Sequence, residues 1–213
     1  MPIDLRPLVD PKSTAIISLE VQENLLLPEK GMVPGLAAHA HAIGLIDRLA
    51  EFFEAGRHVG TRVYYVTDER RADGYGQPGN VMVKVRPSDD VKSDMDHALS
   101  HGPIVAELTP RPEDVWLKRE QGMTGFFSTP LDTYLSNAGV QTVILTGVSA
   151  NVGINGTAIE AMNRGYRVIV ARDGIAGDPP SYVEDLLRYT IRNVAVVASI
   201  QEIMDAWQSH QMT

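Results

Sequence analysis

The amino-acid sequence predicts an α/β protein, a three-layer α/β/α domain with a central, largely parallel sheet of about six strands. The first observation is the segment from Thr142 to Asp173, which reads as strand, turn, helix and strand and so forms one βαβ unit. The second is a series of short apolar runs between turn residues, as expected for strands covered on both faces. The third is helical apolar periodicity between those runs. We expect a single domain over residues 1–213, because no linker or repeat interrupts the pattern.

The first half of the chain contains two predicted strands and one long helix. The first strand is Thr14 to Leu19, an unbroken apolar run suited to the centre of a sheet. Helical periodicity extends from Leu36 to Ala55, and Gly56 is expected to end this helix. The second strand is predicted at Val59 to Val66. The stretch that follows, Thr67 to Pro112, is long and irregular, which is typical of a lid or a binding loop.

The second half of the chain alternates strands and helices. Thr129 is predicted to cap a helix that has Pro130 in its first position and ends at Gly139. Gly165 is expected to end the helix of the βαβ unit. The other predicted elements are a strand at Val115 to Leu117, the strands Val143 to Leu145 and Tyr166 to Ala171 of the βαβ unit, a helix marked by Tyr182, Leu186 and Tyr189, a strand at Val194 to Ala198, and a final helix capped by Ser199 and Glu202.

The composition restricts the partners of the protein. Its 213 residues include 19 basic and 27 acidic side chains, a net charge of −8, which disfavours nucleic acid or an anionic membrane. The N-terminal sequence has no apolar signal region, and no apolar run approaches the ~18 residues of a spanning helix. There is no cysteine, which argues against a disulfide framework. We expect a cytoplasmic protein with a small-molecule partner.

Small residues crowd the turn of the βαβ unit and mark the first candidate site. They are Gly147, Ser149, Ala150, Gly153 and Gly156. In an open parallel sheet, ligands bind beyond the carboxyl ends of the strands, where a helix N-terminus also offers unpaired N–H groups to an anion. The turn from Ser149 to Gly153 is therefore predicted to contact the ligand.

The same turn carries a family resemblance. Its sequence, LTGVSANVGINGTA, resembles the signature of the isochorismatase-like cysteine hydrolases, in which TGVSTNVC or a close variant ends in the nucleophilic cysteine. Gly153 occupies that position, and no other thiol exists, so acyl transfer through a thioester is excluded. The resemblance implies substrate contacts from Val148, Ser149 and Asn151 and a cis Val148–Ser149 peptide bond. The family also includes a branch, the isochorismatases proper, whose members have glycine at this position and protonate a vinyl ether without a covalent intermediate.

Two further stretches are similar to motifs of this family. IISLEVQENLL resembles VIDMQNDF, which aligns Glu20 with the catalytic aspartate and Gln22 with the glutamine. VWLKREQGMTGFFST resembles VIVKxxxSAFxxT, which aligns Lys118 with the family lysine. Phe126 and Phe127 align with the aromatic residue that lines the pocket in this family. The resemblance thus implies catalytic roles for Glu20, Lys118 and the Gly153 position, and substrate-binding roles for Gln22 and Phe126.

The long irregular stretch supplies candidate anion-binding residues. Arg70, Arg71 and Arg86 each carry a planar guanidinium that suits a substrate carboxylate. We include Arg70 and Arg71 in the predicted substrate site.

No metal or other cofactor is expected. Family members that bind a metal have a DxH pattern after the second strand, and TDERRADG contains no histidine. His97 and His101 have the spacing of one helical turn but lack an evident third ligand. His39 and His41 are two residues apart and cannot share a helical face.

Three functions remain open from the sequence. The first is a cysteine-independent hydrolase or lyase acting on a small anionic molecule, with Glu20 as general acid or base and Lys118 tuning its pKa. The second is a catalytically inactive family member that binds a small molecule or serves as an oligomeric partner. The third is a thiol amidohydrolase whose cysteine has been mutated to Gly153. In each case we expect a homo-oligomer, a dimer or a tetramer.

Overall fold

The computed structural model describes residues 3–69, 71, 75–76 and 102–211, without the side chains of residues 210 and 211. Its centre is a six-stranded sheet in the order β3-β2-β1-β4-β5-β6, and every neighbouring pair is parallel. The strands are β1 (Thr14–Leu19), β2 (Arg62–Asp68), β3 (Val115–Arg119), β4 (Thr142–Gly147), β5 (Arg167–Ile175) and β6 (Val196–Ala198). The predicted α/β fold class is confirmed.

Seven α-helices accompany the sheet in the described part of the chain: α1 (Glu23–Leu26), α2 (Pro34–Ala42), α3 (Leu45–Val59), α4 (Leu131–Asn137), α5 (Asn155–Asn163), α6 (Pro180–Tyr189) and α7 (Ile200–Gln211). Side chains of α2, α3 and α7 form a buried cluster with one face of the sheet. Side chains of α4, α5 and α6 form a second cluster with the other face. The strands therefore lie between two helical layers, which explains their unbroken apolar runs. Within the described ranges, no helix is long and apolar enough to cross a membrane.

The structure corrects three predicted boundaries in the first half of the chain. The helix predicted from Leu36 to Ala55 is two helices, because Gly44 adopts the left-handed backbone conformation (φ 61°) between α2 and α3. Gly56 does not end α3. It lies where the helix packs on β1, and a Cβ on Gly56 would be 2.7 Å from Ile16 Cδ1. The helix extends to Val59, so β2 begins at Arg62 instead of Val59.

The later boundaries are closer to the predictions. The predicted start of α4 is wrong by one residue, because Pro130 is the N-cap and the helix begins at Leu131; Thr129 Oγ1 accepts from Leu131 N at 3.4 Å. Ser199 and Glu202 form the predicted capping box of α7, since Glu202 N donates to Ser199 Oγ at 3.1 Å and Ser199 N donates to Glu202 Oε2 at 2.6 Å. β6 begins at Val196, two residues later than predicted.

A buried polar cluster ties α3 to β2 and to the start of β3. The Arg57 guanidinium donates to Asp114 Oδ2 at 2.6 Å and to the Tyr65 hydroxyl at 3.0 Å. The Tyr65 ring also packs edge-on against Phe53. Burial disfavours the phenolate and raises the pKa of Tyr65 to about 12.

This cluster predicts an alkaline loss of stability. Because the pKa of Tyr65 is higher in the folded protein than the ordinary value of 10.0, its contribution is complete below that value and disappears as the pH rises through about 12. We expect the urea midpoint of the wild type to fall between pH 10.0 and about 12. The urea midpoint of Tyr65→Phe should fall less steeply, because phenylalanine does not ionise. Tyr189→Phe, which alters an exposed tyrosine, is the matched control. Equal pH slopes for wild type and Tyr65→Phe would contradict the prediction.

Candidate active site

The candidate site lies at the carboxyl edge of the sheet. β1 lies between β2 and β4, so the residues that end these strands are neighbours. Glu20 follows β1 directly and has a left-handed backbone conformation (φ 52°), which is uncommon for a residue other than glycine. Its N–H donates to Val66 O at 2.9 Å. The chain thus turns sharply at the point where the Glu20 side chain leaves the sheet.

A largely buried ion pair joins the ends of β1 and β3. Arg119 Nη2 donates to Glu20 Oε1, and the two side chains are only 2% and 12% exposed. Arg119 Nη1 also makes a long contact of 3.5 Å with Thr124 O. Two opposite charges attract each other more strongly away from water, and they need good hydrogen-bond geometry there to offset the cost of desolvation. The Glu20 carboxylate is therefore held in one place by a guanidinium.

Lys118, the lysine selected by the family motif, lies on the opposite face of the sheet. Its Nζ pairs with Glu69 Oε2 at 3.0 Å and sits 4.9 Å from the centre of the Trp116 ring, and its side chain is 59% exposed. Successive side chains of a strand point to opposite faces, so Arg119 points to the Glu20 face with the buried Leu117. The structure does not bring Lys118 to Glu20. The alternation from Leu117 would have identified Arg119.

The turn after β4 forms the second side of the site. Val148 N donates to Leu19 O at 2.9 Å, and the Val148–Ser149 peptide bond is cis. A single turn of π-helix, Ala150–Ile154, then leads into α5. Such turns occur frequently at functional sites. Among the residues that the structure describes, no acceptor pairs with the Ser149 N–H.

Gly153 is buried in this π-helical turn, where the family motif has its nucleophile. A Cβ built on Gly153 would lie 3.3 Å from Val148 O and 3.6 Å from Met123 O. The space beside Gly153 is therefore bordered by backbone carbonyl groups. Thr124, the next residue after Met123, contacts Arg119. This loop therefore borders both the Gly153 turn and the Glu20–Arg119 pair.

Gln22 was predicted to contact substrate, but its side chain is fully buried and bound to backbone. Its Oε1 accepts from Asp68 N at 2.8 Å, and its Nε2 donates to Asp68 O at 3.2 Å and to Gly102 O at 2.6 Å. These bonds use both of its donors. Gln22 therefore supports the site by holding the end of β2 and Gly102 together.

Three other predicted residues have contacts outside the ion pair. Phe126 is buried, and its ring stacks on Tyr166 with centroids 6.0 Å apart. Phe127 is 55% exposed and lies against Gly122 in the loop after β3. Asn151 binds the main chain of Asp178, donating to its O at 2.6 Å and accepting from its N at 3.0 Å. Their roles as substrate contacts stay predictions.

The candidate anion-binding and metal-binding residues are mostly outside the described ranges. Arg70, Arg86, His97 and His101 are not among the described residues, and Arg71 is described as exposed. His39 Nδ1 lies 2.8 Å from Gly177 O, so its ring contacts the main chain. No group of three potential metal-ligating side chains occurs in the ranges that the structure covers.

Comparison with known proteins gives consistent matches over most of the chain. Residues 14–202 match the sequence profile of the isochorismatase domain. Ureidoacrylate amidohydrolase RutB of Methylorubrum extorquens is 30% identical over 196 residues, which is 84% of this chain and 76% of that protein. RutB of Rhizobium rhizogenes is 26% identical over 205 residues, 89% of this chain and 79% of that protein. A cysteine hydrolase structure from Pseudomonas syringae pv. phaseolicola has a TM-score of 0.78 and 22% identity, with 95% of each chain covered.

Proposed function

Because the chain belongs to the isochorismatase family of hydrolases, we propose that it hydrolyses a C–N bond in a small amide or ureido compound by direct attack of water. The buried Glu20–Arg119 ion pair carries this proposal. Ureidoacrylate amidohydrolase, the 30% identical relative, supports the choice of bond. The absence of cysteine requires a nucleophile other than a thiol.

Glu20 is the general base in this proposal. An ion-paired carboxylate is ionised and can accept a proton from water, while the water oxygen attacks the carbonyl carbon. The C–N bond then breaks, and the leaving nitrogen takes the proton from Glu20. Each cycle consumes one water and returns Glu20 to its starting state.

The turn after β4 supports the tetrahedral intermediate in this scheme. Backbone N–H groups directed at a developing oxyanion stabilise it, and loss of one such donor costs ~100–1,000-fold in rate. The Ser149 N–H is the donor that we assign, because no acceptor in the described chain pairs with it. Gly153 leaves the space beside it free of a side chain, so a substrate carbonyl can approach the backbone.

A second function also has a specific observation in its favour. The Glu20 carboxylate already has a partner in Arg119, and the nucleophile position is glycine, so the fold can hold a ligand without turning it over. In this alternative the protein is a small-molecule binding member of the family. The Glu20 motif then has a structural role.

A substrate panel separates these functions. We expect ammonia release from ureidoacrylate or its saturated analogue N-carbamoyl-β-alanine, and no loss of activity in iodoacetamide, because the chain contains no thiol. A vinyl ether belongs in the panel because the isochorismatase branch cleaves one. A thermal shift without turnover would instead support the binding protein.

Gly153→Cys completes the test of the nucleophile position. The new Cβ fits with small adjustments, since its nearest neighbour is Val148 O at 3.3 Å. If water is the nucleophile, the thiol occupies reaction space and activity falls at least ~10-fold, as expected for misplacement of reacting groups. A gain of iodoacetamide-sensitive amidase activity would indicate the thiol mechanism and contradict the proposal.

A further inference from the structure

We propose that Arg119 is itself a catalytic residue, and that its Nε–H binds the neutral carbonyl oxygen of the substrate. This inference rests on the proposed hydrolytic function and names the group that the site recognises. It assigns the substrate class as carboxamides and ureido compounds, with the carbonyl oxygen next to Glu20.

The starting observation is a buried donor without a partner. Arg119 is 2% exposed, and its Nε has no hydrogen-bond partner among the described residues. Its Nη2 is bound to Glu20, and its Nη1 contacts Thr124 O. A buried donor left without an acceptor is costly, and native proteins nearly always satisfy such groups. A ligand oxygen on Nε would satisfy this one.

The guanidinium geometry places that oxygen in the reaction zone. The donors of arginine form a rigid planar fork, so an acceptor on Nε lies next to the Glu20 carboxylate on Nη2. The same loop that contacts Arg119 borders Gly153 through Met123 O. In this proposal a carbonyl bound to Nε therefore lies beside the proton acceptor, Glu20.

Charge selects a neutral oxygen for this position. Glu20 and Arg119 carry opposite charges that cancel within a buried pair. A substrate carboxylate on Nε would place a second negative charge beside Glu20, and like charges disfavour one another strongly in such a site. An amide or ureido oxygen adds no net charge. The reacting end of the substrate is therefore neutral.

In this proposal Arg119 contributes to catalysis by binding both the substrate carbonyl oxygen and Glu20. Hydrogen bonding to a carbonyl oxygen stabilises the negative charge that develops there in the transition state. The same guanidinium fixes Glu20, so proton acceptor and electrophile keep one geometry. Lysine could pair with Glu20 but lacks the rigid fork, so Arg119 is not interchangeable with it.

Arg119→Lys tests the inference with two ligands that differ in one atom. The ligands are ureidoacrylate and its thioureido analogue, because sulfur is a weaker hydrogen-bond acceptor than oxygen. We expect wild type to prefer oxygen by at least ~10-fold in kcat/KM, and Arg119→Lys to lose ~100–1,000-fold on ureidoacrylate and most of that preference. Arg172→Lys, the same exchange in an exposed Arg–Glu pair, should match wild type.

Two further measurements keep the outcome decisive. If wild type shows no turnover, the same oxygen preference is measured as dissociation constants by calorimetry, so failure of the proposed function remains distinct. The double variant Glu20→Gln/Arg119→Met removes both charges and serves if Arg119→Lys does not fold. Because this variant lacks the proposed base, its oxygen preference is measured as dissociation constants, and that preference should also be lost. An oxygen preference that survives removal of the Arg119 guanidinium, or an Arg119→Lys effect that vanishes when the ureidoacrylate carboxylate is converted to an amide, would overturn the inference.

Discussion

Glu20→Gln is expected to lower kcat by ~100–10,000-fold while the protein remains folded, because a general base contributes about that much to rate. Glutamine keeps an oxygen that can accept from Arg119 Nη2, but it cannot take a proton from water. Steady-state ammonia release, with circular dichroism as the check on folding, measures the effect.

The control for this experiment is Glu54→Gln. Glu54 also forms an ion pair with an arginine, Arg57, but its side chain is half-exposed and belongs to the polar cluster around Tyr65. The activity of Glu54→Gln should equal that of wild type. Glu20→Asp is a second probe, since it shortens the arm to that of the aspartate in the family motif. If Glu20→Gln retained most of the rate, Glu20 would be a bystander and the binding function would stand.

Gly147→Ala is expected to prevent stable folding. Gly147 ends β4 with φ 96°, and a Cβ there would lie 2.1 Å from Leu19 O and 2.8 Å from Leu19 N. Both atoms belong to the backbone of β1, which is buried and cannot retreat without breaking the β1–β4 pairing. The loss should exceed ~4 kcal/mol, the range reached when a substitution strains a packed backbone. Soluble yield and the urea midpoint measure it.

Gly165→Ala tests how much stability is lost through the left-handed backbone conformation alone, without steric overlap of the new Cβ. Gly165 has a similar φ of 89°, but a Cβ there meets nothing within 4 Å. We expect a cost of only ~1–2 kcal/mol, the penalty of the left-handed conformation itself. Equal losses for the two variants would show that contact with Leu19 is not the cause at Gly147.

The fold was predictable because its signals are local. The run Thr14 to Leu19 matches β1 residue for residue, since a strand buried on both faces is largely apolar. The break at Gly44 was missed because apolar periodicity continues through it, and only the left-handed conformation separates α2 from α3. Gly56 was misread for the opposite reason, since its smallness is needed for packing against Ile16 and not for a turn.

The site was predictable only in part because it depends on distant contacts. The motif around Glu20 located the end of β1, and the small residues after β4 located the π-helical turn. Neither indicates which residue of Lys118 and Arg119 faces inward. The alternation of β3 from the apolar Leu117 indicates Arg119, and the order of the strands brings that side chain to Glu20. The roles assigned to Glu20, Arg119 and Gly153 remain proposals that the variants above test.

The Gln22 side chain also bears on how this scaffold can diversify. It binds Asp68 and Gly102, the residues that bracket the long stretch between β2 and the second half of the chain. One amide thus fixes both attachment points of that stretch independently of its length. The entropy of closing a loop rises by only ~0.6 kcal/mol for each doubling of length. We therefore expect insertions, deletions or grafted segments between these two points to leave the six strands of the sheet unaltered.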